Sequence, residues 1–173
     1  MNIRLNFMLW LYGWSQILYT RLFKRNKKEW GITLSKLLLY PEGSLGKALG
    51  EFYQENDFQI MPKLENHDVF HIITETGTEI QDEIAMQYLL LGNGKFSLYL
   101  LGMVFIGSLL YPEFISHYIK SFKKGKKMLS FYSIDFGKLL DYNLISLKIK
   151  FNSQHKYCTP NHNRKPTKQP LIN

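Results

Sequence analysis

Residues 65–90 read ENHDVFHIITETGTEIQDEIAMQYLL, and two helical periods separated by a turn account for all of them. Apolar Val69, Phe70, Ile72 and Ile73 recur at helical spacing, so a helix is predicted from Glu65 to about Thr74, where Thr74-Glu75-Thr76-Gly77 breaks it. The second helix is predicted to start with Thr78 as N-cap and Gln81 three residues on, the pattern of a capping box. It then runs through Glu83, Met86 and Leu90 to the stop signal Gly92-Asn93-Gly94.

Outward from this pair the chain stays helical in pattern. Upstream, Pro41-Glu42-Gly43-Ser44 is a turn with Ser44 placed to cap a helix over Leu45 to Glu55. Downstream, Leu98 to Tyr111 is uncharged over 14 residues and contains two glycines. That length is too short to span a bilayer, and a buried core helix is the expectation. In residues 114–134, Lys120, Lys123, Lys124, Lys126 and Lys127 cannot all share one helical face and Gly125 lies among them, so a helix end running into a loop is expected. A last helix is predicted over Phe136 to Lys148, and the Pro-, Asn- and Lys-rich remainder reads as a disordered tail. The fold class is therefore all-α, a single-domain helical bundle of residues 31–151. An aromatic and basic helix at 1–30 is predicted to lie in a membrane interface, and 152–173 form the polar tail.

Composition narrows the function classes. In 173 residues, 45% hydrophobic and 15% aromatic side chains supply a core that needs no staples, while a mean hydropathy of −0.21 is not that of a multispanning membrane protein. The single cysteine, Cys158, precludes an intrachain disulfide or a Cys/His finger and fits a reducing, intracellular setting. The net charge of +8 divides unevenly: +6 over residues 1–28, −8 over 29–119 and +10 over 120–173. An acidic middle between basic ends suits a cation-binding core and a surface drawn to anionic lipid headgroups. No nucleic-acid recognition motif accompanies the lysines, so nucleic acid is not expected as a partner. A phosphate loop at Gly43, Gly46, Lys47 and Gly50 fails, because Ala48 stands where Ser or Thr would hold magnesium and no strand precedes it.

The chemistry concentrates in the first helix of the central pair. At about 100° per residue, His67 and His71 stand one turn apart on one face with Asp68 about 60° from His71. Glu83, twelve residues after His71, can point back if the two helices are antiparallel neighbours. His67, Asp68, His71 and Glu83 are the predicted ligands of a divalent metal, with Asp68 and Glu83 the candidates to act catalytically through it. Two nitrogens and two oxygens suit zinc, and with added water iron(II), manganese or magnesium. Glu75, Glu79 and Asp82 read as helix N-terminal charges, His117 as isolated, and His155 and His162 as tail residues. A metal phosphohydrolase built on the His-Asp doublet would need a further histidine upstream, and none precedes His67.

The run Asn66-His67-Asp68-Val69-Phe70-His71, followed after eleven residues by Glu83-Ile84-Ala85, resembles the signature His-Asp-x-x-His-x11-Glu of the ubiquinone biosynthesis protein family, the fourth member of the coenzyme Q synthesis set. Pro41-Glu42-Gly43-Ser44-Leu45-Gly46 is similar to that family's Pro-x-Gly-Thr/Ser-x-Gly stretch, and the likeness extends over roughly residues 35–150. The surroundings of the ligands depart from the pattern: Phe70 replaces Trp, Thr74-Glu75-Thr76-Gly77-Thr78 replaces a Gly-x-Pro-Thr turn, and Gln87-Tyr88-Leu89 replaces Lys-Trp-Phe. The resemblance implies a metal-binding protein peripheral to the inner or cytoplasmic membrane that holds a prenyl-quinone or isoprenoid lipid and works with other quinone-biosynthesis proteins. Self-association into a homo-oligomer is a further expectation. It also implies either oxidative decarboxylation of a prenylated hydroxybenzoate ring at C1 or a noncatalytic lipid-binding scaffold that organises a biosynthetic complex.

Overall fold

The computed structural model describes residues 29–152 and, upstream, Asn6. Most of the predicted interfacial helix, and the predicted polar tail beyond Asn152, with Cys158, His155 and His162, lie outside the described residues, and Asn152 itself closes the last helix. Among residues 29–152 seven α-helices follow in order: α1 Leu34–Leu38, α2 Leu45–Glu55, α3 Glu65–Thr74, α4 Ile80–Gly92, α5 Leu98–Leu110, α6 Ile115–Lys127 and α7 Leu144–Asn152. Single 3-10 turns occur at Pro112–Phe114 and Phe136–Lys138, and no strand is present among the described residues. The all-α expectation holds.

Ser44 caps α2 as its position predicts, its Oγ accepting from the Lys47 N–H at 3.2 Å. The next two donors of that helix start are met from far along the chain: Leu45 N–H donates to the Tyr142 carbonyl and Gly46 N–H to the Leu140 carbonyl. That commitment corrects the predicted helix over Phe136 to Lys148. With the carbonyls of Leu140 and Tyr142 turned toward α2, the segment cannot continue as a helix. It makes one 3-10 turn at Phe136–Lys138 and restarts as α7, where Asn143 Oδ1 accepts from the Ser146 N–H at 3.0 Å.

The helix end running into a loop that is expected within residues 114–134 is found, placed after the last of the five lysines rather than among them. Helix α6 runs unbroken through Gly125 to Lys127. A Cβ at Gly125 would strike the backbone carbonyl of Leu89 in α4, and one at Gly92 would strike the Phe122 carbonyl in α6. The two glycines let two backbones touch at the crossing, which repays the cost of glycine within a helix. Just past the crossing the buried Asn93 side chain donates to the Gly125 and Leu129 carbonyls and accepts from the Phe131 N–H. Asn66 in α3 does the same for the Ile134 carbonyl and the Phe136 N–H. Two buried amides thus pin the irregular stretch between α6 and α7 to the helices that carry the site.

The core is one large cluster that includes Leu37, Leu49, Val69, Ile73, Met86, Leu90, Phe131 and Phe136, with Ile84, Ala85, Tyr111 and Tyr118 as a second. Helix α5 does not belong inside it as predicted. Only Leu100, Met103 and Gly107 are buried, while Leu98, Phe105 and Leu109 are 78%, 70% and 71% exposed. Those three residues and Gly102 follow at intervals of four, three and four, so they form one stripe on the outer face of the helix.

Candidate metal centre

Helix α3 buries Val69, Phe70 and Ile73 in the core and turns His67 and His71 toward the first turn of α4. The helix ends where Glu75 takes a left-handed conformation, φ 53°, and the chain folds back over its own last turn. That reversal brings two carbonyls to His71: Nδ1–H donates to Thr76 O at 3.1 Å and to Gly77 O at 3.0 Å. Nδ1 thereby carries a proton, so that the neutral ring presents its lone pair from Nε2 to the space between α3 and α4. Because the loop carbonyls are turned inward, α4 starts later than the capping box predicts. Its N-cap is Glu79, not Thr78, and no side chain caps it.

Glu83 therefore sits in the first turn of α4, where a carboxylate is favoured by the helix dipole. Its carboxylate points back to α3, with Oε2 3.2 Å from His67 Nε2 and Oε1 3.1 Å from His71 Nε2. The two Nε2 atoms are 3.3 Å apart. Four ligands at about 2.0–2.1 Å around a tetrahedral ion are separated by about 3.3 Å, so all three spacings fit the edges of such a polyhedron. The His71 side chain is 3% exposed, whereas His67 at 20% and Glu83 at 18% leave an open side. The three donors fit a divalent ion in chemistry, spacing and tautomer.

Electrostatics agree with the geometry. Burial by itself would raise the Glu83 carboxyl, but His67 and His71 outweigh it and hold the group well below the ordinary carboxylate range. Burial would likewise lower His71, and the hydrogen bond and charge of Glu83, with the Thr76 carbonyl and Asp68, reverse it so that the ring is raised.

Asp68 takes a different place from its three neighbours. It lines the same cavity, yet among the described residues the cluster whose donor atoms all lie within 4.8 Å of one another is His67, His71 and Glu83. The hydroxyl of Tyr53 in α2 donates to Asp68 Oδ2 at 2.6 Å and holds it to one side. Burial raises the Asp68 carboxyl, only partly offset by His67 and the Tyr53 hydrogen bond, and burial followed by Asp68 raises the Tyr53 hydroxyl, which stays the donor. The predicted four residues are gathered as three plus one.

The cluster opens into a cavity of about 440 Å³ walled by Phe52, Phe58, Met61, Leu64, Ile84 and Met103, with Gln59 and Thr78 as polar points. An apolar hollow with a few convergent polar groups is the usual form of a small-molecule site. Sequence reasoning missed Tyr53, Phe52 and the carbonyls of Thr76 and Gly77. Only the departure from the family turn at Thr74 to Thr78 marked that loop. The residues read as bystanders remain so: Glu75 pairs with Lys148 at 2.8 Å, and Asp82 with His117 at 3.1 Å.

The sequence profile of the family described as Coenzyme Q (ubiquinone) biosynthesis protein Coq4 matches residues 54–156. A crystal structure of a protein from Nostoc punctiforme, provisionally assigned to ubiquinone biosynthesis, superposes with a TM-score of 0.58 at 17% identity and covers 80% of this chain and 78% of that one. At that identity the likeness speaks for the fold. No curated protein sequence matches the chain.

Proposed function

The chain belongs to the coenzyme Q (ubiquinone) biosynthesis protein Coq4 family, and from that premise we propose that it is a zinc-binding protein acting on a prenylated hydroxybenzoate ring. The observation that carries this reading is the convergence of His67, His71 and Glu83 at the mouth of an apolar cavity. Zinc is the choice because two imidazoles and one carboxylate with an open fourth position are a common zinc donor set, while iron, manganese or magnesium would need several added waters.

In the proposed reaction the ring carboxylate leaves as carbon dioxide, a hydroxyl from water enters at C1, and dioxygen takes the two electrons and two protons as hydrogen peroxide. The ion, when bound by His67, His71 and Glu83, would supply Lewis acidity at the open side of the site. The chain's own residues do the rest. Phe52 and Met103 offer apolar walls to the ring, and Gln59 and Thr78 give it polar contacts. Asp68, kept off the ion by Tyr53, is placed to take a proton within the cavity.

A second reading, a lipid-presenting scaffold without turnover, is favoured by the outer stripe of α5. Met103 of that helix walls the cavity while Leu98, Phe105 and Leu109 lie exposed on its other side. An isoprenoid tail leaving the cavity would have an apolar surface to follow, and the same stripe suits attachment to an anionic inner or cytoplasmic membrane within the cell. Among the described residues no single helix is long and apolar enough to cross a membrane.

The test is carbon dioxide release from a prenylated 4-hydroxybenzoate by metal-loaded protein under dioxygen, with lipid mass spectrometry on the same preparation. The decarboxylase reading expects release that disappears in His67→Ala while the helical circular dichroism is kept. Co-purified prenyl lipid with no release under any metal supports the scaffold. Full activity in His67→Ala defeats the metal mechanism.

A further inference from the structure

We infer that the groove between α6 and α7, lined by Lys120, Lys123, Lys124, Lys127, Met128 and Asn152, is a binding site for a phosphate-class anion. The four lysines fall at i, i+3, i+4 and i+7 along α6, one face of a helix, with Lys126 alone turned elsewhere, 5.9 Å from the Phe122 ring. Like charges at those spacings repel, and an isolated helix face of this kind is destabilised. Here they border a concavity of about 430 Å³ that includes no acidic side chain.

Charge balance around the groove sharpens the assignment. Glu75, the nearest acid on α3's side, is paired with Lys148, and Asp82 is paired with His117. Among the described residues Lys120, Lys123 and Lys127 form no ion pair. The Lys124 ammonium donates to the backbone carbonyl of Thr74, a neutral partner. Burial pushes that ammonium down from its ordinary range, against the opposing pull of the Glu75 carboxylate. A neighbouring cavity shares Lys120 and Lys124 but is also lined by the carboxylates Glu75 and Asp82, which would repel an anion, so the anion belongs on the α7 side.

Phosphate fits this set better than a carboxylate. Several ammonium groups act as compact point charges that surround a multiply charged oxyanion, whereas a planar carboxylate is matched by the arginine fork, and no arginine lines the groove. The Asn152 amide adds uncharged donors at one edge. The oxyanion can be free or carried by a phospholipid headgroup, and two arms of one experiment separate these sources.

The full chain is titrated calorimetrically with pyrophosphate, and separately sedimented with phosphatidylcholine vesicles containing phosphatidylglycerol, both in about 0.15 M salt so that distant charges are screened. Lys123→Glu/Lys127→Glu alters the groove at two exposed positions, and Lys36→Glu/Lys138→Glu makes the same charge change elsewhere. The proposal expects the groove variant to weaken binding by roughly tenfold or more in at least one arm, with the control variant near wild type. Loss with pyrophosphate identifies a free anion, and loss only with vesicles identifies a headgroup. Equal weakening by both variants, unchanged binding in the groove variant, or no binding in either arm overturns the site. Circular dichroism of both variants should match wild type, since none of the four lysines lies in the core.

Discussion

Two cavities of nearly equal size, about 440 and 430 Å³, open on this small helical protein with opposite linings. The first is walled by aromatic and aliphatic side chains around two histidines and two carboxylates, and the second is rimmed by four lysines without an acid. In the first every buried polar group described has a partner: Nδ1 of His71 on two carbonyls, Glu83 on two imidazoles, Asp68 on a tyrosine. In the second the charges face water and one another. Preorganisation separates the two. The first is held rigid by interactions made on folding, and the second is kept open by repulsion that a ligand would relieve.

Both cavities depend on one crossing, because α4 carries Glu83 and α6 carries the lysines. Gly125→Ala should therefore have the largest effect, abolishing both together. A methyl group there meets the α4 backbone, which has no rotamer to yield, and a loss of about 3 kcal/mol or more is expected. A melting temperature within a few degrees of wild type would show that the crossing can slide apart at little cost.

Next in size are changes that touch only the first cavity. His71→Ala should reduce zinc affinity by well over about 100-fold, by equilibrium dialysis, and leave the lysine groove unaltered. Without metal, the His–Glu pairs set a pH window. Glu83 has a lowered pKa, so its contribution is present above the ordinary carboxylate value of 4.5 and is lost as pH falls below it. His71 has a raised pKa, so its contribution is complete below 6.5 and fades as pH rises beyond that value. Metal-free protein should thus melt highest between about pH 5 and 6.5. Glu83→Gln should flatten that dependence, and a flat wild-type profile would contradict the pairing.

Tyr53→Phe probes the position of Asp68. With its donor gone, Asp68 is free to turn toward the ion, at a stability cost of about 1 kcal/mol. Metal affinity should hold or rise while turnover falls. A fall in affinity would mean that Asp68 already ligates through the tyrosine-bound form. The smallest effect is expected at the exposed pair of Lys148 and Glu75, outside both cavities. Lys148→Ala releases Glu75, which is 69% exposed, and should cost less than about 0.5 kcal/mol. Lys148 lowers the Glu75 pKa, so even that difference should vanish as the pH falls below the ordinary carboxylate value.

Much of the site was legible along the chain because its first determinant is local. His67 and His71 are one helical turn apart, and the turn that ends α3 is written in Glu75-Thr76-Gly77. The caps at Ser44 and the stop at Asn93 are local in the same sense. What stayed hidden involves partners far apart in sequence. Asp68 meets Tyr53 across fifteen residues, and α7 begins at Leu144 because the Leu140 and Tyr142 carbonyls serve α2, nearly a hundred residues upstream. Helical periodicity registers neither.

By itself, then, the sequence determined an all-α chain, its helices α2, α3 and α4, and four candidate donors, His67, Asp68, His71 and Glu83, spaced to approach one another, since helix pitch and turn chemistry need only neighbours. Only the tertiary structure decided that Asp68 stands apart from the cluster of His67, His71 and Glu83, that α5 keeps an apolar face outward, and that four of five lysines share a groove. Each of those outcomes turns on contacts between segments distant along the chain, Tyr53 of α2 on Asp68 and the backbones of α4 and α6 closed on Gly92 and Gly125, and close packing of that kind carries no local signature.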